Sequence, residues 1–164
     1  MIVVTVGTQL PFDRLIQMMD ELAPALKDQI FAQTGAGQYV PRNIRASASM
    51  APAEFEAMVR QASVLVAHAG IGTVLKAYKY RKPIVLVPRK AEFGEHRNDH
   101  QLATVSKLGE RRGIYVAHNK DELLRLLDGP LMPPAPEEAA SAGRRRLLTF
   151  LHREAREALR GASH

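Results

Sequence analysis

The chain has no cysteine, which excludes disulfides and thiolate metal sites and fits a reducing compartment. Aromatic residues make up only 5% and form no visible stacking platform, which argues against single-stranded nucleic-acid binding. No apolar run is long enough to span a bilayer. The start, Met1-Ile2-Val3-Val4, is apolar without a basic leader, which predicts a buried first strand and not a signal peptide. There is no G-x-G-x-x-G fingerprint, no P-loop Gly-Lys-Ser/Thr and no G-x-S-x-G elbow. Those routes to nucleotide hydrolysis and acyl transfer are therefore closed. No closely spaced acid pair resembles a glycosidase site, and neither an internal repeat nor a low-complexity tract is present.

What remains is a chain of 164 residues, 46% hydrophobic, enough for one domain with a sizeable core. Its net charge of +6 is concentrated. From Lys76 to Lys90 the charged residues are Lys76, Lys79, Arg81, Lys82, Arg89 and Lys90, with no acid, and the rest of the chain balances at 17 of each sign. Such a stretch suits phosphate, an anionic lipid surface or nucleic acid. The plainer alternative is a solvated helix end whose cations complement the dipole.

Strand and helix patterns alternate. Strands are expected at Ile2–Val6, Gln29–Thr34, Ile44–Ser49, Val64–Ala67, Pro83–Pro88 and Ile114–Val116. Helices are expected at Asp13–Leu26, Pro52–Ala62, Thr73–Tyr80, Asn98–Leu108 and Asp121–Leu127, the last capped by Asn119. Near-continuous apolar strands between helices predict an α/β fold, a Rossmann-like parallel sheet with helices on both faces. Residues 1–128 form this domain and 129–136 a proline-rich linker. Residues 137–164 carry an amphipathic helix with Leu147, Leu151, Ala155 and Leu159 on one stripe and Arg144, Arg145 and Arg146 at its start. That helix either folds back on its own domain or docks on another subunit.

Ligands of parallel sheets bind beyond the carboxyl ends of the strands, where the loops after Val6, Ala67 and Val87 lie. Gly7 and Thr8 open the first loop and bring close backbone approach and a hydroxyl. The turn His68-Ala69-Gly70-Ile71-Gly72-Thr73 joins a strand to a helix N-terminus, an arrangement that cradles phosphate. His68 can donate a hydrogen bond to phosphate, act as an acid or base, or serve as a structural histidine. About thirty residues on, one βα repeat away, comes Glu95-His96-Arg97-Asn98-Asp99-His100-Gln101. His96 and His100 have the i, i+4 spacing of zinc ligands, but at a loop–helix junction that geometry is not assured. The run better suits a hydroxyl-rich ligand, with Gln101 offering donor and acceptor on one amide.

Val6-Gly7-Thr8-Gln9, Phe12-Asp13-Arg14-Leu15, the His68–Thr73 turn, Lys82–Pro88 and Gly94–Ala103 together resemble the glycosyltransferase family 28 C-terminal domain over roughly the first three-quarters of the chain. The resemblance is greatest to short free-standing members: the nucleotide-binding subunit of the two-part N-acetylglucosaminyltransferase of N-glycan assembly, and bacterial exopolysaccharide glycosyltransferase subunits. It implies one half of a GT-B enzyme that binds a UDP-sugar and inverts configuration without an essential metal or other cofactor. It places Gly70, Ile71, Gly72 and Thr73 on the diphosphate, Gly7 and Thr8 in the same cleft, Ser49 and Met50 at the uracil, and Asn98, His100 and Gln101 at the donor sugar. His68, Glu95 and His100 are the candidate catalytic bases, with a partner residue as the alternative. Many relatives carry Glu where this chain has Lys76, and lysine cannot accept the ribose hydrogen bonds.

The resemblance further implies a membrane-associated partner subunit that binds a lipid-linked sugar acceptor, and a cytoplasmic protein held peripherally at the inner face of the membrane through that partner. A GT-B enzyme needs two such domains, and the pattern shows one. An uncovered apolar cleft edge also allows a homodimer. Nucleic acid is not an expected partner. Two other function classes compete: a non-catalytic nucleotide-sugar-binding regulatory or scaffold module, and a basic adaptor for nucleic acid or anionic membrane whose binding would ignore UDP and fall steeply with salt.

Overall fold

The structure, a computed structural model, describes residues 1–95, 105–106, 108–136, 142, 145–150 and 152–153. Six strands form one sheet: β1 (Ile2–Thr5), β2 (Ile30–Gln33), β3 (Arg45–Ser47), β4 (Val64–Ala67), β5 (Ile84–Leu86) and β6 (Ile114–Val116). All neighbours pair in parallel, in the order β3-β2-β1-β4-β5-β6. The helices are α1 (Asp13–Leu22), α2 (Pro52–Gln61), α3 (Ile71–Lys79) and α4 (Lys120–Asp128), with 3-10 turns at Ala23–Ala25 and Ala91–Phe93.

The strands read as unbroken apolar runs because both faces of the sheet are covered. Alternate residues serve opposite cores. Ile2, Val4, Val6, Val64, Val66, Val85 and Val87 pack with Leu15, Ile16 and Met19 of α1 and Leu123 of α4. Val3, Leu65, Ala67, Ile84 and Leu86 pack with Val59 of α2 and with Val74, Ala77 and Tyr78 of α3. Val105, Leu108 and Leu147 complete the second core. Leu147 is fully buried there, so of the two alternatives for the C-terminal segment, its described residues take the intramolecular one.

The element boundaries shift for local reasons. The first helix gives way to a 3-10 turn at Ala23, since Pro24 lacks an N–H to continue the ladder. The central helix starts at Ile71, two residues before its expected start. It ends in a Schellman-type turn, with Lys82 N–H donating to Ala77 C=O at 2.8 Å and Arg81 at φ 51°, the left-handed position glycine usually takes. Asn119 caps α4 as expected, its Oδ1 accepting from Glu122 N–H at 2.9 Å. Of the expected Asn98–Leu108 helix, residues 98–104 and 107 lie outside the described residues, and 105, 106 and 108 are helical.

The continuous basic run does not form a continuous patch. Lys79 pairs with Glu56 at 2.9 Å and Lys90 with Glu92 at 3.2 Å. Arg89 is buried, while Lys76 faces the cleft described next.

Candidate functional site: a cationic cleft at the switch point of the sheet

The strand order reverses between β1 and β4, the switch point where open parallel sheets bind ligands. A cleft of about 810 Å³ opens there. The loop after β1 contributes Gly7 and Thr8, the turn after β4 contributes His68 to Thr73, and Met50, with Pro52 and Phe55 at the start of α2, contributes an apolar wall. Gln33, Lys76 and Arg89 complete its polar lining.

The N-terminus of α3 is the cleft's main anion-binding feature. Its N-cap, Gly70, has extended backbone (φ −91°, ψ 129°) and supplies no side-chain cap. The first-turn N–H groups are thus left for a ligand, with the positive end of the helix dipole behind them. A Cβ placed on Gly72 would meet nothing within 4 Å among the described residues, so none of them crowds this turn.

His68 lies between two glycines. A Cβ on Gly7, itself at φ +78°, would sit 2.6 Å from His68 Cε1, and one on Gly70 would sit 2.7 Å from the same atom. Both residues must lack a side chain for the imidazole to fit. Burial, reinforced by the Arg89 guanidinium, pushes the His68 pKa down to about 4, and the Thr5 carbonyl only partly opposes this. The ring is neutral at pH 7. Its Nδ1 is sealed from solvent and has no partner of good hydrogen-bond geometry, Thr5 included.

Arg89 is the residue that sequence reasoning missed. Only 2% exposed, its guanidinium donates to the carbonyls of Val6 (2.9 Å) and Leu10 (2.8 Å) and also to those of Pro11 and Glu95. It lies over the Phe12 ring, 4.7 Å from the centroid. Desolvation lowers its pKa, and the Glu95 carboxylate opposes that. Arg89 therefore fastens the loop after β1 from behind. The available signal was its place at the carboxyl edge just past β5. The same signal applies to Gln33, which ends β2 and accepts from Thr5 Oγ1 at 3.0 Å.

The cleft brings together most of the expected binding residues: Gly7, Thr8, Met50, Gly70, Ile71, Gly72 and Thr73, with His68 beside them. Ser49 is exposed and absent from the lining. Glu95 is also absent. Its carboxylate makes a bidentate pair with Arg14 (2.7 and 2.9 Å) and accepts from Lys90 N–H at 2.9 Å, so it ties the loop after β5 to α1. Asn98, His100 and Gln101 lie outside the described residues. Lys76 Nζ stands over the Phe55 ring, 5.4 Å from its centroid, and makes no ion pair among the described residues. Among the described residues, the lining of the cleft contains two cations and no carboxylate.

No curated protein matches the chain. Among solved structures, ALG13 aligns with a TM-score of 0.59 and 18% identity over 90% of this chain and 94% of its own. The glycotransferase of kitacinnamycin aligns with a TM-score of 0.58 and 21% identity over 95% of this chain but only 39% of its own. SnogD from Streptomyces nogalater gives 0.50 and 18%, again over 39% of its own length. The chain thus spans about two fifths of these larger glycosyltransferases. The parallel sheet flanked by helices matches their GT-B-type domain. The family model described as "Glycosyltransferase family 28 C-terminal domain" matches residues 1–145, and the chain belongs to this family.

Proposed function

We propose that this domain is the donor-binding half of an inverting GT-B glycosyltransferase, holding a UDP-sugar with its diphosphate on the N-terminus of α3. The observation that carries this reading is the uncapped first turn of α3, where no described residue crowds Gly72 and the described lining is cationic without a carboxylate. The apolar wall of Met50, Pro52 and Phe55 suits the flat base. As the glycosidic bond breaks, negative charge grows on the leaving diphosphate, and the α3 amides and Lys76 offset it. Neutral His68 donates a hydrogen bond to the ligand and does not act as the base, because a pKa near 4 makes it a poor proton acceptor at pH 7. Glu95 acts as a positioning residue through Arg14. The base comes from His100 or from the acceptor-binding partner, a membrane-associated subunit that presents a lipid-linked sugar.

Calorimetric titration with UDP and then UDP-sugars tests the core of the proposal, and no binding at millimolar UDP refutes it. Transfer to a lipid-linked acceptor at full rate by the chain alone refutes the need for a partner. A second reading, a non-catalytic nucleotide-sugar module, is favoured by one observation, the donor-only Lys76 in the cleft. Lys76→Glu separates phosphate from ribose contact. Reversing even one charge pair worth ~1 kcal/mol at a partly screened site changes binding by ~2 kcal/mol, so UDP should weaken by roughly 30-fold or more if Lys76 serves the diphosphate. Unchanged or tighter UDP binding removes Lys76 from the phosphate. UDP binding without transfer, even with the acceptor-binding partner present, selects the module.

A further inference from the structure

A second depression, about 560 Å³, lies away from the cleft and is lined by Arg111, Arg145, Arg146, Arg153, Thr149 and Phe150. Arg111 and Arg153 stand over the Phe150 ring, 5.0 and 5.5 Å from its centroid. Leu147 is buried in the domain core on the same helix, which fixes this helix to the domain and leaves Arg145 and Arg146 exposed. Two further cationic turns adjoin. β5 and β6 pair with Ile84 opposite Ile114, so Arg81–Lys82 and Arg111–Arg112 precede neighbouring strands at one edge of the sheet. Tyr78 Oη and Ile84 N–H bond to the carbonyls of Arg112 and Gly113, which holds the two turns together.

Arg81, Lys82, Arg111, Arg112, Arg145 and Arg146 make no ion pair among the described residues, whereas Arg14, Lys79, Lys90 and Lys120 each have an acid partner. Among the described residues of these segments the acid is Glu110, and it does not balance them. From this gathering, at one end of the sheet, of cations without an ion pair among the described residues we infer a docking surface for an anionic phospholipid bilayer.

Three features favour a membrane over a nucleic acid. The surface is built from three separate segments and spreads across an edge of the fold. The Phe150 ring packs against the core and already carries two guanidinium groups, which makes it a poor platform for a base. Arginine heads on apolar stems suit the headgroup layer, where they meet phosphates with their planar donors. The site lies at the amino ends of β5 and β6, opposite the edge that carries the cleft, so a docked bilayer leaves the cleft open. The inference does not depend on what the cleft binds.

Vesicle co-flotation of the full chain tests it, using phosphatidylcholine vesicles with and without 30% phosphatidylglycerol. Binding is expected only with phosphatidylglycerol and should weaken with salt. Each basic side chain near such a surface contributes about fivefold, so Arg145→Glu with Arg146→Glu should reduce binding at least ~20-fold. A control pair with the same charge change, Arg42→Glu with Arg45→Glu, should retain it. Arg81→Gly should raise Tm by relieving the left-handed strain while weakening vesicle binding a few-fold. Equal loss in the control pair, equal binding to both vesicles, or displacement by millimolar inorganic phosphate or by polyuridylate would each overturn the proposal.

Discussion

Gly70 and Gly72 are two residues apart, yet their alanine variants should fail in opposite ways. Gly70 has ordinary extended backbone, φ −91° and ψ 129°, so alanine is conformationally acceptable there. Its methyl, however, would sit 2.7 Å from His68 Cε1, an atom that a Cβ on Gly7 would also crowd, so the buried imidazole has little room to shift. Such overpacking costs about 1–3 kcal/mol, and at ~2–4 °C per kcal/mol for a domain of this size Tm should fall by roughly 3–10 °C. Gly72 lies inside α3 with nothing within 4 Å of its would-be Cβ. Alanine there gains up to ~1 kcal/mol of helix propensity, so Tm should hold or rise. The same methyl stands where the proposed diphosphate would approach the backbone, and UDP affinity should drop about tenfold or more. Thermal melts paired with calorimetric UDP titration read both quantities. Wild-type Tm in Gly70→Ala would refute the His68 packing argument. Wild-type UDP affinity in Gly72→Ala would refute the phosphate cradle.

Three other outcomes follow from the same geometry. His68 has a pKa of about 4 in the fold, against ~6.5 when unfolded. The unfolded chain binds more protons between those values, so His68-linked stability is complete above pH 6.5 and is lost as pH falls toward 4, by at most about 3 kcal/mol. Urea midpoints at pH 4.5 and 7 should converge in His68→Gln relative to the wild type, and an identical pH dependence would refute the assignment. Arg89→Met leaves the carbonyls of Val6, Leu10 and Pro11 without their donor and should cost about 3 kcal/mol or more in urea unfolding; an unchanged midpoint would refute its pinning role. Leu147→Ala should cost roughly 2–5 kcal/mol, and a loss near zero would mean that the C-terminal helix does not pack on the domain.

The fold was legible because its signal is redundant. Strands such as Val64–Ala67 are apolar at every position, which only a sheet covered on both faces accommodates. The glycine turn was legible for a similar reason, since a strand, a glycine pair and a helix start occur in unbroken sequence. The parts that sequence did not disclose are those decided by partners far along the chain. Glu95 looked like a candidate base, and only its contact with Arg14, 81 residues away, shows the carboxylate already engaged. Arg89 looked like one member of a basic run until the fold enclosed it against carbonyls some 80 residues earlier. Likewise, the true cationic surface joins residues near 81, 111 and 145, which no local window contains.

The costs that this fold carries also point to the cleft. An uncapped helix N-terminus forgoes about 1 kcal/mol, and α3 has one at Gly70. A buried polar atom without a partner is costly, and among the described residues the buried side-chain atom in that state is His68 Nδ1. A buried guanidinium needs dense compensation, and Arg89 receives it from four backbone carbonyls behind the same loop. Each could be relieved locally, by a serine cap, an apolar ring or a leucine. Since α1 and α2 also lack a side-chain cap, what sets the N-terminus of α3 apart is that it opens onto the same cleft as His68 and Arg89. A diphosphate on α3 would supply the missing cap and place negative charge beside both His68 and Arg89. Ligand binding should therefore raise the His68 pKa, and the UDP-bound protein should take up protons below pH 6.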